Sequence, residues 1–145
     1  MKKIAFILVV VALMGFESGD KSADPKGNLT VTVTGIKASK GQIVFMLFNG
    51  ADGFPKEVDK AFKKAYVKTF DDTATATFPQ LPFGEYAISV FHDQNMDGEI
   101  KTNFMGMPKE PVGASNLTKM GKPSFKKCVF KVNEGEVALQ LKFIL

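Results

Sequence analysis

In Leu29-Thr30-Val31-Thr32-Val33-Thr34, apolar and hydroxylated side chains alternate without a break. Successive side chains of a strand point to opposite faces, so this period fits a strand with one buried and one wet face, and a helix would scatter the same residues around its axis. Related patterns recur along the chain. Ile43-Val44-Phe45-Met46-Leu47-Phe48 is apolar on both parities, which predicts a central strand covered on both faces. Residues 66–70 and 73–78 alternate on either side of Asp71-Asp72 and predict a hairpin. Beyond the turn Gln80-Leu81-Pro82-Phe83-Gly84, residues 85–91 put Tyr86, Ile88 and Val90 on one parity, and His92 continues that inward row. Residues 125–132 and 136–143 predict a closing hairpin around Asn133-Glu134-Gly135. Phe54, Val58, Phe62 and Ala65 recur at near-fourfold spacing and predict one short helix near residues 55–64. The expected class is therefore all-β: an antiparallel β-sandwich of about seven strands, immunoglobulin-like or prealbumin-like, with one short helix.

A chain of 145 residues is the usual size of one domain, and 45% hydrophobic against 23% charged residues excludes intrinsic disorder and collagen-like repeats. The 14 phenylalanines follow strand parity and are expected to fill the core. All 19 basic residues are lysine, so the planar guanidinium fork that grips phosphates and guanine edges is absent, and a formal charge of +4 is small. Nucleic acid is not an expected partner.

Lys2 and Lys3 precede an uncharged run from Ile4 to Phe16 that is too short to span a bilayer, so residues 1–16 read as a secretory signal peptide. A cleavage site is not defined by any small-x-small triplet. Residues 17–27 are expected to form a flexible lead and residues 28–145 the single folded domain. Export permits disulfides, yet Cys128 stands alone, so no internal bridge forms and packing must hold the fold. No cysteine follows the apolar run, which excludes a lipoprotein anchor. The expected location is periplasmic or secreted, soluble, with no transmembrane span after signal cleavage. Cys128 shares parity with Phe130 and Val132 and is expected inward, as a small core residue.

Residues 93–123 read as one long loop, and loops of such length in compact domains are usually functional or pinned. It opens with Asp93-Gln94-Asn95-Met96-Asp97-Gly98-Glu99-Ile100, which places side-chain oxygens at alternate positions and a glycine at the sixth. A tightly curling backbone turns such oxygens toward one centre, as in the first half of a calcium loop. The candidate ligands are Asp93, Asn95, Asp97 and the carbonyl of Glu99. Calcium takes about six to eight oxygens, so Asn103, Glu110, Asn116 or water would have to complete the shell. Lys101 and Phe104 hold the ninth and twelfth positions, so this is not an EF-hand, and Lys101 brings a repelling charge. The alternative is a polar tip in which Asp and Asn bond their own backbone. His92 beside Asp93 suggests a hydrolase, but neighbours on a strand point to opposite faces, and no nucleophile elbow, phosphate loop or zinc motif accompanies them.

The run Leu81-Pro82-Phe83-Gly84-Glu85-Tyr86-Ala87-Ile88-Ser89-Val90-Phe91-His92-Asp93, then Asn95-Met96-Asp97-Gly98, Asn103-Phe104-Met105-Gly106-Met107-Pro108-Lys109-Glu110 and Ser115-Asn116, resembles the bacterial exported family called domain of unknown function 2141. Gly53-Phe54-Pro55 and Pro123-Ser124-Phe125 extend the likeness over residues 28–143. The resemblance implies an exported all-β sandwich and assigns no biochemical role. Lys101 stands where the family usually has an acid, and Pro111-Val112-Gly113-Ala114 replaces a Gly-aromatic-Gly-Phe stretch.

Three functions are consistent with these residues. One is a non-catalytic envelope module that binds an unknown envelope protein or small ligand through residues 93–116, with His92, Glu110 and Asn116 as further candidates. The second is a calcium-stabilised structural domain, calcium being the one cofactor the sequence suggests. The third is a hydrolase using His92 with Asp93 or Asp97.

Overall fold

A computed structural model describes residues 23–144; the expected signal peptide and all but the end of the expected lead lie outside the described residues. Eight strands form two sheets: β1 (Lys26–Thr34), β2 (Gln42–Phe48), β3 (Lys63–Val67), β4 (Thr73–Pro82), β5 (Gly84–Asp93), β6 (Val112–Ala114), β7 (Phe130–Val132) and β8 (Glu136–Lys142). One sheet has the order β4-β1-β8; the other has β3-β2-β5-β6, with β7 also paired to β5. The same side of β5 is filled in succession, by β7 against Gly84–Tyr86 and by β6 against Ser89–Phe91.

The alternation of β1 does what its period requires. Leu29, Val31 and Val33 are fully buried between the layers. On the outer face, Thr30 faces Thr77 and Thr32 faces Thr75, with hydroxyl oxygens 3.4 and 2.9 Å apart. Facing β1 across the core are Ile43, Phe45 and Leu47 of β2 and Ile88 and Val90 of β5. β2 is buried at every position, as expected of a central strand. Its other face carries Val44, Met46 and Phe48, which pack with Phe91 beneath Phe54, Val58, Ala61, Ile100 and Phe125. Loop segments thus cover the outside of the larger sheet and give the domain a second apolar cluster.

The structure corrects several expectations. Residues 55–64 form no α-helix: only Val58–Lys60 makes a single 3-10 turn, flanked by the extended residues Glu57 and Ala61. Phe54, Val58 and Ala61 still reach the sheet, but the chain leaves helical geometry because β3 takes up backbone pairing with β2 from Lys63 onward. Residues 66–70 and 73–78 are not a hairpin either. β3 belongs to the larger sheet and β4 to the smaller, so the link at Asp71-Asp72 crosses between layers.

At the C-terminus the same crossing occurs. Phe125–Cys128 is a short helical turn, α1, capped by the Ser124 side chain, and only Phe130–Val132 is strand. Cys128 is fully buried as expected, on α1 and not on a strand. β7 pairs with β5, whereas β8 runs parallel to β1, so the sandwich is antiparallel except for this pair. Parity alone cannot distinguish a hairpin partner from a strand in the opposite layer, because both bury the same set of side chains. Where the chain crosses, the Glu134 carbonyl sits against Gly27, at which an added Cβ would lie 2.2 Å from that oxygen. β1 itself begins two residues ahead of the expected domain start.

Phenylalanine does not uniformly fill the core. Phe45, Phe48 and Phe91 are fully buried, but Phe62 and Phe83 are partly exposed and Phe104 is 97% exposed. Among the described residues, no helix is long and apolar enough to cross a membrane.

Candidate functional site

β5 and β2 are antiparallel, with Asp93 opposite Gln42. This register places the last residue of β5, with the first of β2, at one end of the larger sheet. Asp93 is completely buried. Its carboxylate accepts from Gln42 Nε2 at 2.8 Å, from the Asp97 amide at 3.1 Å and from the Gly98 amide at 2.9 Å. A buried carboxylate demands such donors, and the two loop amides curl residues 94–98 back over the strand end while Gln42 holds the carboxylate from β2. Gly98 has φ 73° and Met96 φ 61°, so the curl passes twice through left-handed backbone. Gly41 packs beneath it: a Cβ there would lie 2.1 Å from the Asp93 carbonyl oxygen.

Asp97 lies at the mouth of the curl, its side chain 22% exposed. Oδ1 accepts from the Glu99 amide at 3.0 Å, and Oδ2 lies 2.8 Å from Lys101 Nζ and 3.1 Å from Asn95 Nδ2. The Lys101 ammonium, chiefly, and the Glu99 amide hold this carboxyl at a pKa of about 2. Asp97 raises Lys101 in turn. Glu110 arrives from the far end of the loop and accepts from the Gln94 amide at 3.0 Å. Burial, together with the charges of Asp93 and Asp97, pushes its carboxyl above the ordinary glutamate range. Carboxylate oxygens of Asp93, Asp97 and Glu110 all come within 4.8 Å of one another.

Of the expected ligands, then, Asp93 and Asp97 converge with Glu110, and Asn95 stands beside them. Glu99 contributes its amide to Asp97 and has an exposed side chain. Asn103 is elsewhere: its Oδ1 accepts from the Met105 and Met107 amides at 2.9 and 3.0 Å and shapes a separate turn. Asn116 is also apart, donating from Nδ2 to the Val129 carbonyl at 2.8 Å. Short polar side chains in a loop serve ligands and backbone alike, and their sequence spacing does not separate the two uses.

His92 and Asp93 do not work together. His92 is 1% exposed on the core side, 5.4 Å from the Phe70 ring and stacked at 6.3 Å on Phe143. The Lys40 carbonyl can only accept, so Nε2 carries the hydrogen in their 2.6 Å contact, leaving buried Nδ1 without a partner. Neither side chain is placed to orient the other for proton transfer.

Sequence reading missed Gln42, whose amide anchors Asp93, and gave no role to Ser115, whose hydroxyl accepts from the Ile88 amide and donates to the Cys128 carbonyl. Gln42 carries one signal, as the lone polar residue opening an apolar strand. The rest of the loop is not featureless: Thr102 bridges Pro108 ahead of Glu110, and Val112–Ala114 beyond it becomes β6.

The class these features define is a two-sheet β domain carrying an acid-lined loop at one end of its larger sheet. Residues 31–140 match the family described as "Uncharacterized protein conserved in bacteria", domain of unknown function 2141, and the chain belongs to that family. No curated protein and no solved structure matches it.

Proposed function

We propose that this protein is a non-catalytic binding module of the bacterial cell envelope, periplasmic or secreted, with residues 93–116 as its working edge. The observation that carries this reading is the contrast within that loop. Its base is fastened by fully buried Asp93, while Phe104 and Met105 at its tip are 97% and 70% exposed. Large apolar side chains held in solvent by an ordered turn mark a contact surface. The test is to replace residues 100–109 with a short Gly-Ser turn and compare cross-linked envelope partners. Loss of a partner with an unchanged melting temperature supports the reading, and an unchanged partner set overturns it.

The convergence of Asp93, Asp97 and Glu110 favours a second, compatible reading, in which calcium stabilises the loop. Three carboxylates and Asn95 supply oxygens suited to a hard cation, with water completing the shell. Lys101 occupies one of those oxygens and must turn away for an ion to enter. Binding to the folded state alone would raise the melting temperature with calcium concentration. Asp97→Ala would abolish that rise, and a wild-type melt equal in calcium and in chelator would remove the reading.

A further inference from the structure

The turn at the tip of the loop has an unusual internal economy. Asn103 Oδ1 accepts from the Met105 and Met107 amides, the Asn103 amide donates to the Met107 carbonyl at 2.8 Å, and the Gly106 amide donates to the Asn103 carbonyl at 3.0 Å. One step down, the Lys109 amide donates to the Lys101 carbonyl at 2.8 Å. The amides of Asn103, Met105, Gly106 and Met107 are therefore satisfied within the turn itself, and that of Phe104 is left to its surroundings. Each such internal bond lowers the cost of bringing an irregular segment up to an apolar medium, where polar backbone groups find few other partners.

The charge distribution matches. Residues 100–109 contain Lys101 and Lys109 and no acid. Both lysines sit at the base of the turn, with the two exposed apolar side chains beyond them. Apolar tips flanked by ammonium groups suit an interface where hydrocarbon lies beneath anionic headgroups. A partner protein's pocket would reward Phe104 and Met105 equally, but would not by itself call for a lysine on each side of an acid-free tip.

We infer that the turn at residues 100–109 inserts Phe104 and Met105 into an anionic lipid surface, with Lys109, and Lys101 when it is free of Asp97, at the headgroup level. This inference rests on the working-edge reading and names its partner. The base of the loop stays outside the bilayer, held to the sheet through Asp93.

The chain contains no tryptophan, so Phe104→Trp creates a single reporter at the tip and Phe83→Trp, in the turn at the opposite end of β5, a control. The full-length variants are mixed with phosphatidylglycerol-containing vesicles, with phosphatidylcholine vesicles and with no lipid. The Phe104→Trp emission is expected to shift to the blue and be quenched by bromine-labelled acyl chains on the anionic vesicles only, while Phe83→Trp stays unchanged. Lys109→Gln in the Phe104→Trp background should weaken vesicle affinity by about fivefold. An unmoved Phe104→Trp emission, or equal quenching at both positions, overturns the lipid assignment. If that emission instead responds to a cross-linked envelope protein, the lipid assignment falls and the working-edge reading stands; if it responds to neither, both fall.

Discussion

Lys101 Nζ lies 2.8 Å from Asp97 Oδ2, so the loop supplies its own cation at the place where three acidic side chains converge. An ammonium and a metal ion cannot both take that oxygen. Lys101 therefore acts as a competitor for any cation the loop binds. Lys101→Gln is expected to tighten calcium binding by about two- to fivefold, the range of an exposed ion pair. Calorimetric titration of the two proteins checks this, and equal affinities would show that Lys101 does not compete.

The same contact predicts behaviour in acid. The Asp97 carboxyl is held at about 2 against an ordinary 3.8, so the folded state binds its proton less readily than the unfolded chain does. The resulting stability is complete above the ordinary value and is lost as pH falls from 3.8 through about 2. In Lys101→Gln, the Asp97 titration followed by carboxyl-carbon NMR should move up toward 3.8, and the acid loss of stability in that window should shrink. Glu110 has the opposite sign: its raised pKa means that its ionisation opposes folding, and acidification through its own range relieves that cost. An entering cation would draw Glu110 back down and release its proton, so calcium affinity should fall as pH drops through the Glu110 titration.

The sequence disclosed the sandwich because burial and strand period coincide: Leu29, Val31 and Val33 could lie inward only together. It could not disclose which strands were neighbours. Val137 and Leu141 satisfy their parity equally in a hairpin with β7 or, as found, parallel to β1. The helix expected near residues 55–64 failed for a related reason, since Phe54, Val58 and Ala61 meet the outer face of β2 from an irregular path. In the candidate site, Asp93 and Asp97 were legible from spacing alone. Glu110 was a candidate without a place, because its contact with Gln94, 16 positions back along the chain, depends on the turn that Asn103 shapes. Gln42 was hidden entirely, since its role depends on the β2–β5 register.

Gly41 underlies the site more tightly than its sequence suggests. Its φ is 75°, and an added Cβ would stand 2.1 Å from the Asp93 carbonyl oxygen and 2.6 Å from Gln94 Cα, both backbone atoms that cannot turn aside. Gly41→Ala therefore adds left-handed strain to a steric clash. It should destabilise the fold by about 2 kcal/mol or more, measured by urea unfolding. Gly98→Ala provides the comparison: φ is 73°, but nothing lies within 4 Å of the added carbon, so strain acts alone and the cost should be smaller.

Ser115 fastens the other end of the loop. It is 1% exposed, and its hydroxyl accepts from the Ile88 amide at 3.1 Å while donating to the Cys128 carbonyl. One side chain thus joins β5 to the end of α1 just after β6. Ser115→Ala keeps the volume nearly unchanged but leaves a buried donor and a buried acceptor unpaired, a change that costs about 1–3 kcal/mol for each group left so. The loss should appear in urea unfolding and as faster hydrogen exchange at the Ile88 amide, with the β1 amides following only the global change. If Ile88 exchange rises no more than that of β1, the Ser115 hydroxyl does not hold this junction.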